Sequence, residues 1–155
     1  MSELSLECRA VDHRVYDHPS RFFHGAVWPL LSAAVPPVLI DRISAYLKIR
    51  KELKPTARGV TVELGGGALP FHRLYSDGDL VVVDWQKHLL EVNKQLSGIL
   101  RPGSKPNPNF IVADNRHMPF IDGAFENVVS ANGYEHNAES LRVLKRGGKR
   151  ICIWG

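Results

Sequence analysis

The stretch Val60-Thr61-Val62-Glu63-Leu64-Gly65-Gly66-Gly67-Ala68-Leu69 decides the fold. A short β-branched run that ends in an acid and breaks into three glycines has the form of a buried parallel strand handing over to a tight loop. Glycine has no Cβ, so the backbone there can take positive φ and approach a nucleotide-like ligand closely. Several nucleotide-binding folds share such a loop. The residues downstream of it, and their spacing, separate these folds.

Downstream, strand and helix signals alternate, which is the mark of an α/β sheet. Val60–Leu64 reads as the first strand and Leu69–Tyr75 as a short helix with Pro70 near its start, followed by a turn at Ser76-Asp77-Gly78. Leu80–Asp84 (LVVVD) is apolar almost throughout, as a strand covered on both faces should be. Gln86–Leu100 predicts a helix with Leu89, Val92, Leu96 and Ile99 on one face; 101–109, with three prolines, predicts a loop. Phe110–Ala113 is the third strand and Ala124–Ser130 holds the fourth. Ala138–Leu144 is a short helix, Gly147-Gly148 its stop signal, and Arg150–Trp154 the fifth strand. Right-handed crossovers then give a doubly wound, mostly parallel, Rossmann-like sheet of about five strands in the order 3-2-1-4-5.

Upstream, residues 1–55 form a helical preface to the sheet domain at 56–155. Over Val38–Leu53 the residues Leu39, Ile43, Tyr46, Leu47 and Leu53 fit one helix face, with Pro37 in the first turn and Pro55 at the end. Tyr16, His18, Arg21 and His24 suit either a lid over a ligand or an aromatic staple packing the preface onto the sheet, the second being favoured.

The 155 residues suffice for one domain with a real core, and 44% hydrophobic with 23% charged residues is the balance of a globular chain. The net charge of +4 is scattered. Its densest cluster, Lys145, Arg146, Lys149 and Arg150, reads as a solvated turn, so no nucleic-acid partner is expected. No window is long and apolar enough for a membrane span, and the N-terminus lacks the form of a signal peptide. Cys8 and Cys152 are too few for a disulfide framework or a zinc site. They are expected to be reduced thiols in a cytoplasmic protein, with no metal.

The chemistry gathers at the carboxyl ends of the strands. Glu63 and the glycines follow the first. Asp84 closes the second, nineteen residues after Gly65, where an acid can accept from two ribose hydroxyls; the plainer reading is a cap on the next helix. Asp114 closes the third and Asn132 follows the fourth. A dinucleotide fingerprint, G-x-G-x-x-G, fails at its third glycine, where Pro70 stands.

Four segments in order resemble the class I S-adenosylmethionine-dependent methyltransferases, especially their small-molecule branch: VELGGGAL, VVVDWQ, ADNRHMPFIDGAFENVVS and LRVLKRGGKRICI. The resemblance runs from Val60 to Trp154. Met118, Asn127 and Arg146 depart from the family's usual Leu, Asp and Pro, and Leu69 stands where many relatives carry a third glycine. The resemblance implies S-adenosyl-L-methionine as cofactor. Gly65, Gly66 and Gly67 would then form the loop against its methionine part, with Glu63 ordering the ammonium end. Asp84 would bind the ribose, Trp85 would lie against the adenine, Asp114 would accept from the adenine amino group, and the Asn115 backbone would assist. Trp85 also reads as a core tryptophan. Asn132 would face the sulfonium and the acceptor.

A sulfonium methyl is already activated, so its transfer asks for an aligned nucleophile and, for an oxygen or nitrogen acceptor, sometimes a base. Tyr134, Glu135 and His136 are the catalytic candidates; His136 has a suitable unperturbed pKa and reads equally as a plain loop histidine. The segment from His136 to Arg142 is shorter than the family's usual helix, and the sequence ends at Gly155, before the family's last helix and strands. Three readings follow, a truncated product, a sheet completed through a partner, or a naturally minimal form; the favoured expectation is that a second copy or another partner completes the edge at the fifth strand. The expected activity is methyl transfer to an O or N atom of a small molecule. The alternative is a cofactor-binding regulatory or scaffold subunit without transferase activity.

Overall fold

The computed structural model describes residues 36–53, 59–75, 79–100, 107–131 and 136–153. Helix α1 (Pro36–Leu53) leads into strand β1 (Thr61–Leu64), a 3-10 turn (Phe71–Leu74) and β2 (Leu80–Asp84). Then come α2 (Lys87–Ile99), β3 (Asn109–Val112), β4 (Phe125–Ala131), α3 (Asn137–Val143) and β5 (Leu144–Ile153). The strands form one sheet in the order β3-β2-β1-β4-β5, each neighbouring pair parallel. This is the predicted order. The direction of winding reverses between β1 and β4, and all the carboxyl ends lie along one edge, where sheets of this kind bind ligands.

Burial explains why the central strands are runs of valine. Val62, Val82, Val83, Val128 and Val129 have no exposed surface, and a stiff β-branched side chain suits a pleated surface covered on both faces. One face carries Ala45, Tyr46, Ile49 and Leu53 of α1 together with Leu90 of α2, packed on Val82, Val129, Ala131 and Ile151. The other carries Met118, Phe125 and Val143 on Val62, Leu64, Val83 and Val128.

Both helix faces differ from expectation. On α1 the buried stripe is Ala45, Tyr46, Ile49 and Leu53, while Leu47 is exposed. On α2 it is Leu89, Leu90, Asn93 and Ser97, while Val92 and Ile99 face solvent. A purely apolar reading of α2 put the stripe about one residue out of phase, because two of its buried positions are polar and hydrogen-bonded.

The predicted helix at 69–75 is a single 3-10 turn, Phe71–Leu74. Strand β5 starts six residues earlier than expected, at Leu144 rather than Arg150. The glycines do not precede it; they lie inside it, in a bulge where the register passes from Phe125↔Leu144 to Asn127↔Lys149. Gly147 takes φ +81, and a Cβ on Gly148 would come within 2.6 Å of the Glu126 carbonyl oxygen, so the excursion needs glycine. Cys152 is disulfide-bonded, against the expectation of a reduced thiol. The predicted turn at 76–78, the prolines at 102 and 106, and the lid candidates Tyr16, His18, Arg21 and His24 also lie outside the described residues. Among those described, no helix is long and apolar enough to cross a membrane, and no group of three or more His, Cys, Asp or Glu residues is placed to hold a metal ion.

Candidate functional site

The loop after β1 starts from the β1–β2 ladder and then turns tightly. Gly65 N and Gly66 N both donate to the carbonyl of Val83, at 2.8 and 3.1 Å. Gly65 and Gly67 take φ +72 and +56, the left-handed region that favours glycine. Gly66 is required for a different reason: a Cβ there would come within 2.1 Å of Val82 Cγ1, so this glycine seats the loop on the sheet. Among the described residues, a Cβ at Gly67 would meet nothing within 4 Å. The loop is therefore packed beneath Gly66 and open beside Gly67.

Asp84 joins this loop to the end of β2. Its Oδ2 accepts from Gly67 N at 3.0 Å and its Oδ1 from Gln86 N at 2.9 Å. The side chain is buried, which raises its pKa; backbone N–H donors work against that rise. The Trp85 backbone N–H also donates to it, and since a carboxylate offers about four acceptor positions, capacity for a ligand hydroxyl is left. The cap reading is also visible in part, since the bond to Gln86 N turns the chain into α2.

Glu63 is the most buried acid of the site. Its oxygens accept from Tyr46 Oη of α1 at 2.6 Å and Tyr75 Oη at 3.0 Å. Burial lifts its pKa to about 7, even though both hydroxyls favour the anion. The two rings stack with centroids 5.8 Å apart, and both phenols are held well above their ordinary range, chiefly by burial. Tyr46 and Tyr75 were not expected in the site. Tyr46 appeared only as one apolar position of a helix face.

A second unexpected group sits behind the loop. Asn93 of α2 has no exposed surface, and its Nδ2 faces the carbonyls of Gly66, Gly67 and Leu69 at 3.3, 3.0 and 3.2 Å. Ser97 Oγ donates to Asn93 Oδ1 at 3.2 Å and lies 3.5 Å from His72 Nε2 in the 3-10 turn. The available signal was the spacing Leu89, Leu90, Asn93, Ser97, which is helical once the two polar residues are allowed in the stripe.

The acid after β3 stands apart. Asp114 Oδ1 accepts from Arg116 N at 2.8 Å and Nε at 3.0 Å, and Oδ2 from Nε at 2.9 Å and Nη2 at 2.6 Å. Arg116 holds the carboxyl below its ordinary pKa. Trp85 is half exposed beside Asp84, not a core tryptophan, and Asn115 is partly buried beside Asp114. Asn132, Tyr134 and Glu135 lie outside the described residues. His136 is the N-cap residue of α3, at the carboxyl-end edge of the sheet, with extended backbone. Its Nδ1 is buried without a hydrogen-bond partner among the described residues.

The segment 114–130 and the strand-five entry prove to be one mechanical unit. Arg142 donates to the carbonyls of Phe120 and Met118 at 2.7 and 3.0 Å and pairs with Asp122 and Glu139. Glu139 Oε2 in turn accepts from Met118 N at 2.9 Å. Arg142 draws the Glu139 pKa down to about 2. Asn127, standing where an aspartate is usual, is buried and donates to Thr61 Oγ1 at 3.1 Å.

Neither a protein-family profile nor a curated protein sequence matches the chain. Solved structures do. The YcgJ protein of Bacillus subtilis superposes with a TM-score of 0.60 at 18% identity, over 72% of this chain and 50% of that one. A protein of Methanococcus maripaludis described as a candidate S-adenosyl-L-methionine-dependent methyltransferase gives 0.63 at 18%, over 83% and 61%. The PH0226 protein of Pyrococcus horikoshii OT3 gives 0.63 at 23%, over 85% and 64%.

The fold is that of the class I S-adenosylmethionine-dependent methyltransferases.

At these identities the likeness is one of fold. The chain spans between half and just under two thirds of the length of these solved chains. In this methyltransferase fold Arg142, Glu139 and Asn127 explain the recurring segments mechanically. They lock the loop after β3 to α3 and β4 to β1.

Proposed function

We propose that this chain binds S-adenosylmethionine along the carboxyl ends of β1, β2 and β3 and that the protein transfers its methyl group to an oxygen or nitrogen atom of a small molecule. The observation that carries this reading is the Asp84–Gly67 bond, which sets a buried carboxylate against an open glycine turn beside the β1/β4 switch point. The residues fit the cofactor: no described residue fills the space where a Gly67 Cβ would sit, Asp84 keeps acceptor capacity for a ribose hydroxyl, and the half-exposed Trp85 offers a ring face to a base.

When bound, the cofactor supplies a methyl group on a sulfonium, already electrophilic. The chain's own work is orientation and water exclusion. Gly67 and Asp84 hold the nucleoside end, and the Tyr46–Glu63–Tyr75 cluster closes the floor of the loop with a carboxyl that is readily neutral. His136, with a buried Nδ1 lacking a partner among the described residues, is the candidate to take a proton from the acceptor, flanked in sequence by Tyr134 and Glu135. Asn132 completes the acceptor side of this reading. Strand β5, paired among the described residues only with β4, is the surface along which a second copy or another partner would complete the sheet.

The test is turnover. The protein incubated with S-adenosylmethionine and a pool of small hydroxyl and amine acceptors should release S-adenosylhomocysteine above the rate without acceptors. Binding without release under any acceptor would favour the regulatory-subunit alternative. Failure to bind would refute both.

A further inference from the structure

We infer that Asn93 is the positioning residue of the glycine loop, fixing the loop's carbonyls from behind so that its open side keeps one shape. As a statement about cofactor affinity this rests on the reading above; as a statement about the loop it does not.

Burying a carboxamide in a helix stripe is costly unless its groups are satisfied. Asn93 has no exposed surface, and it is satisfied in one direction: Nδ2 spans the carbonyls of Gly66, Gly67 and Leu69, and Oδ1 receives Ser97 Oγ–H. Ser97 lies one helical turn on, so both side chains stand on the same face of α2. With its proton given to Asn93, the Ser97 hydroxyl has acceptor capacity toward His72 Nε2, which suits the tautomer carrying the proton on Nε2. The order His72, Ser97, Asn93, loop carbonyls thus gives the amide a single sense. A reversed amide would set its oxygen against three carbonyl oxygens.

The consequence is local. The loop N–H groups are held from the front: those of Gly65 and Gly66 by Val83, that of Gly67 by Asp84. The carbonyls are held from behind by Asn93. Two glycines with positive φ have a wide choice of backbone conformations, and nothing in their own side chains narrows it. Asn93 narrows it from another element without touching the open side beside Gly67.

Hydrogen exchange on the ligand-free, full-length protein tests the loop claim. In Asn93→Ala the amides of Gly65, Gly66 and Gly67 should exchange at least about tenfold faster, the equivalent of one lost buried hydrogen bond, with Val82 and Val128 unchanged. Uniform acceleration, or none, would overturn it. Should Asn93→Ala not fold, Ser97→Ala should show the same loop-selective acceleration to a smaller extent, and Ser97→Thr, which keeps the hydroxyl, should restore wild-type exchange. Calorimetry with S-adenosylhomocysteine should show affinity weakened about tenfold in Asn93→Ala and less in Ser97→Ala. Equal affinity in wild type and variant would overturn the link to binding. If the wild type itself bound nothing, the cofactor reading would fail, and the exchange pattern would still decide the role of Asn93.

Discussion

Asp84 and Asp114 end adjacent strands and make the same local turn, each accepting from the backbone N–H two residues on, at 2.9 and 2.8 Å. There the similarity stops. Asp84 is buried and spends its other oxygen on Gly67, seventeen residues away in the loop after the neighbouring strand; burial raises its pKa. Asp114 is on the surface and spends its remaining positions on the guanidinium of Arg116, which lowers its pKa. One acid is tied into the tertiary structure, while the other closes on its own neighbour. Two residues that look equivalent in a motif differ in what their removal disturbs.

The contrast is sharpest at Asp84. Asp84→Ala leaves two part-buried N–H groups without their acceptor, which should cost about 2 kcal/mol of stability and weaken S-adenosylhomocysteine binding about 100-fold. Denaturant melts and calorimetry check the two effects, and an unchanged affinity would remove Asp84 from the site.

Glu63 sharpens the buried side through pH. Its folded pKa of about 7 lies above the ordinary 4.5, so the folded state keeps a proton that the unfolded chain has released. The associated stability is fully present below about pH 4.5 and is lost as pH rises to 7, by up to about 3 kcal/mol. Urea melts across this window should show wild type losing stability relative to Glu63→Gln; parallel curves would mean that Glu63 is an ordinary acid. Glu139, held near 2, acts in the opposite sense, losing its contribution as pH falls below about 4.5.

Arg116→Ala is the smallest effect and tests the surface side. An exposed pair contributes about 0–1 kcal/mol, so stability should barely move and S-adenosylhomocysteine affinity should change by less than about threefold. A loss as large as that at Asp84 would show the two strand ends to be energetically alike after all.

The same contrast governs how far the sequence could be read. The strands and their order were legible because short valine-rich runs between turn residues have few other uses, and crossover handedness prunes the rest. The glycine loop and Asp84 were legible as a pair because their separation is set by one strand–turn–strand step. The residues that support them were not. Asn93 and Ser97 break an apolar stripe, and nothing local says that the loop carbonyls lie opposite them. Tyr46 acts as a hydrogen-bond donor only because α1 crosses the sheet above Glu63. The start of β5 was misplaced because Gly147-Gly148 has the form of a helix stop, whereas in the sheet it forms a bulge against Glu126. Arg142 looked like part of a strand entry and is instead the clamp on the loop after β3.

The central claim is that the loop from Glu63 to Gly67, joined to Asp84, is shaped for S-adenosylmethionine and not for a dinucleotide. Calorimetric titration of the full-length protein with S-adenosylhomocysteine and, separately, with NAD tests it most directly. Saturable one-to-one binding of S-adenosylhomocysteine and none of NAD is the predicted result; binding of NAD alone, or of neither, would contradict it.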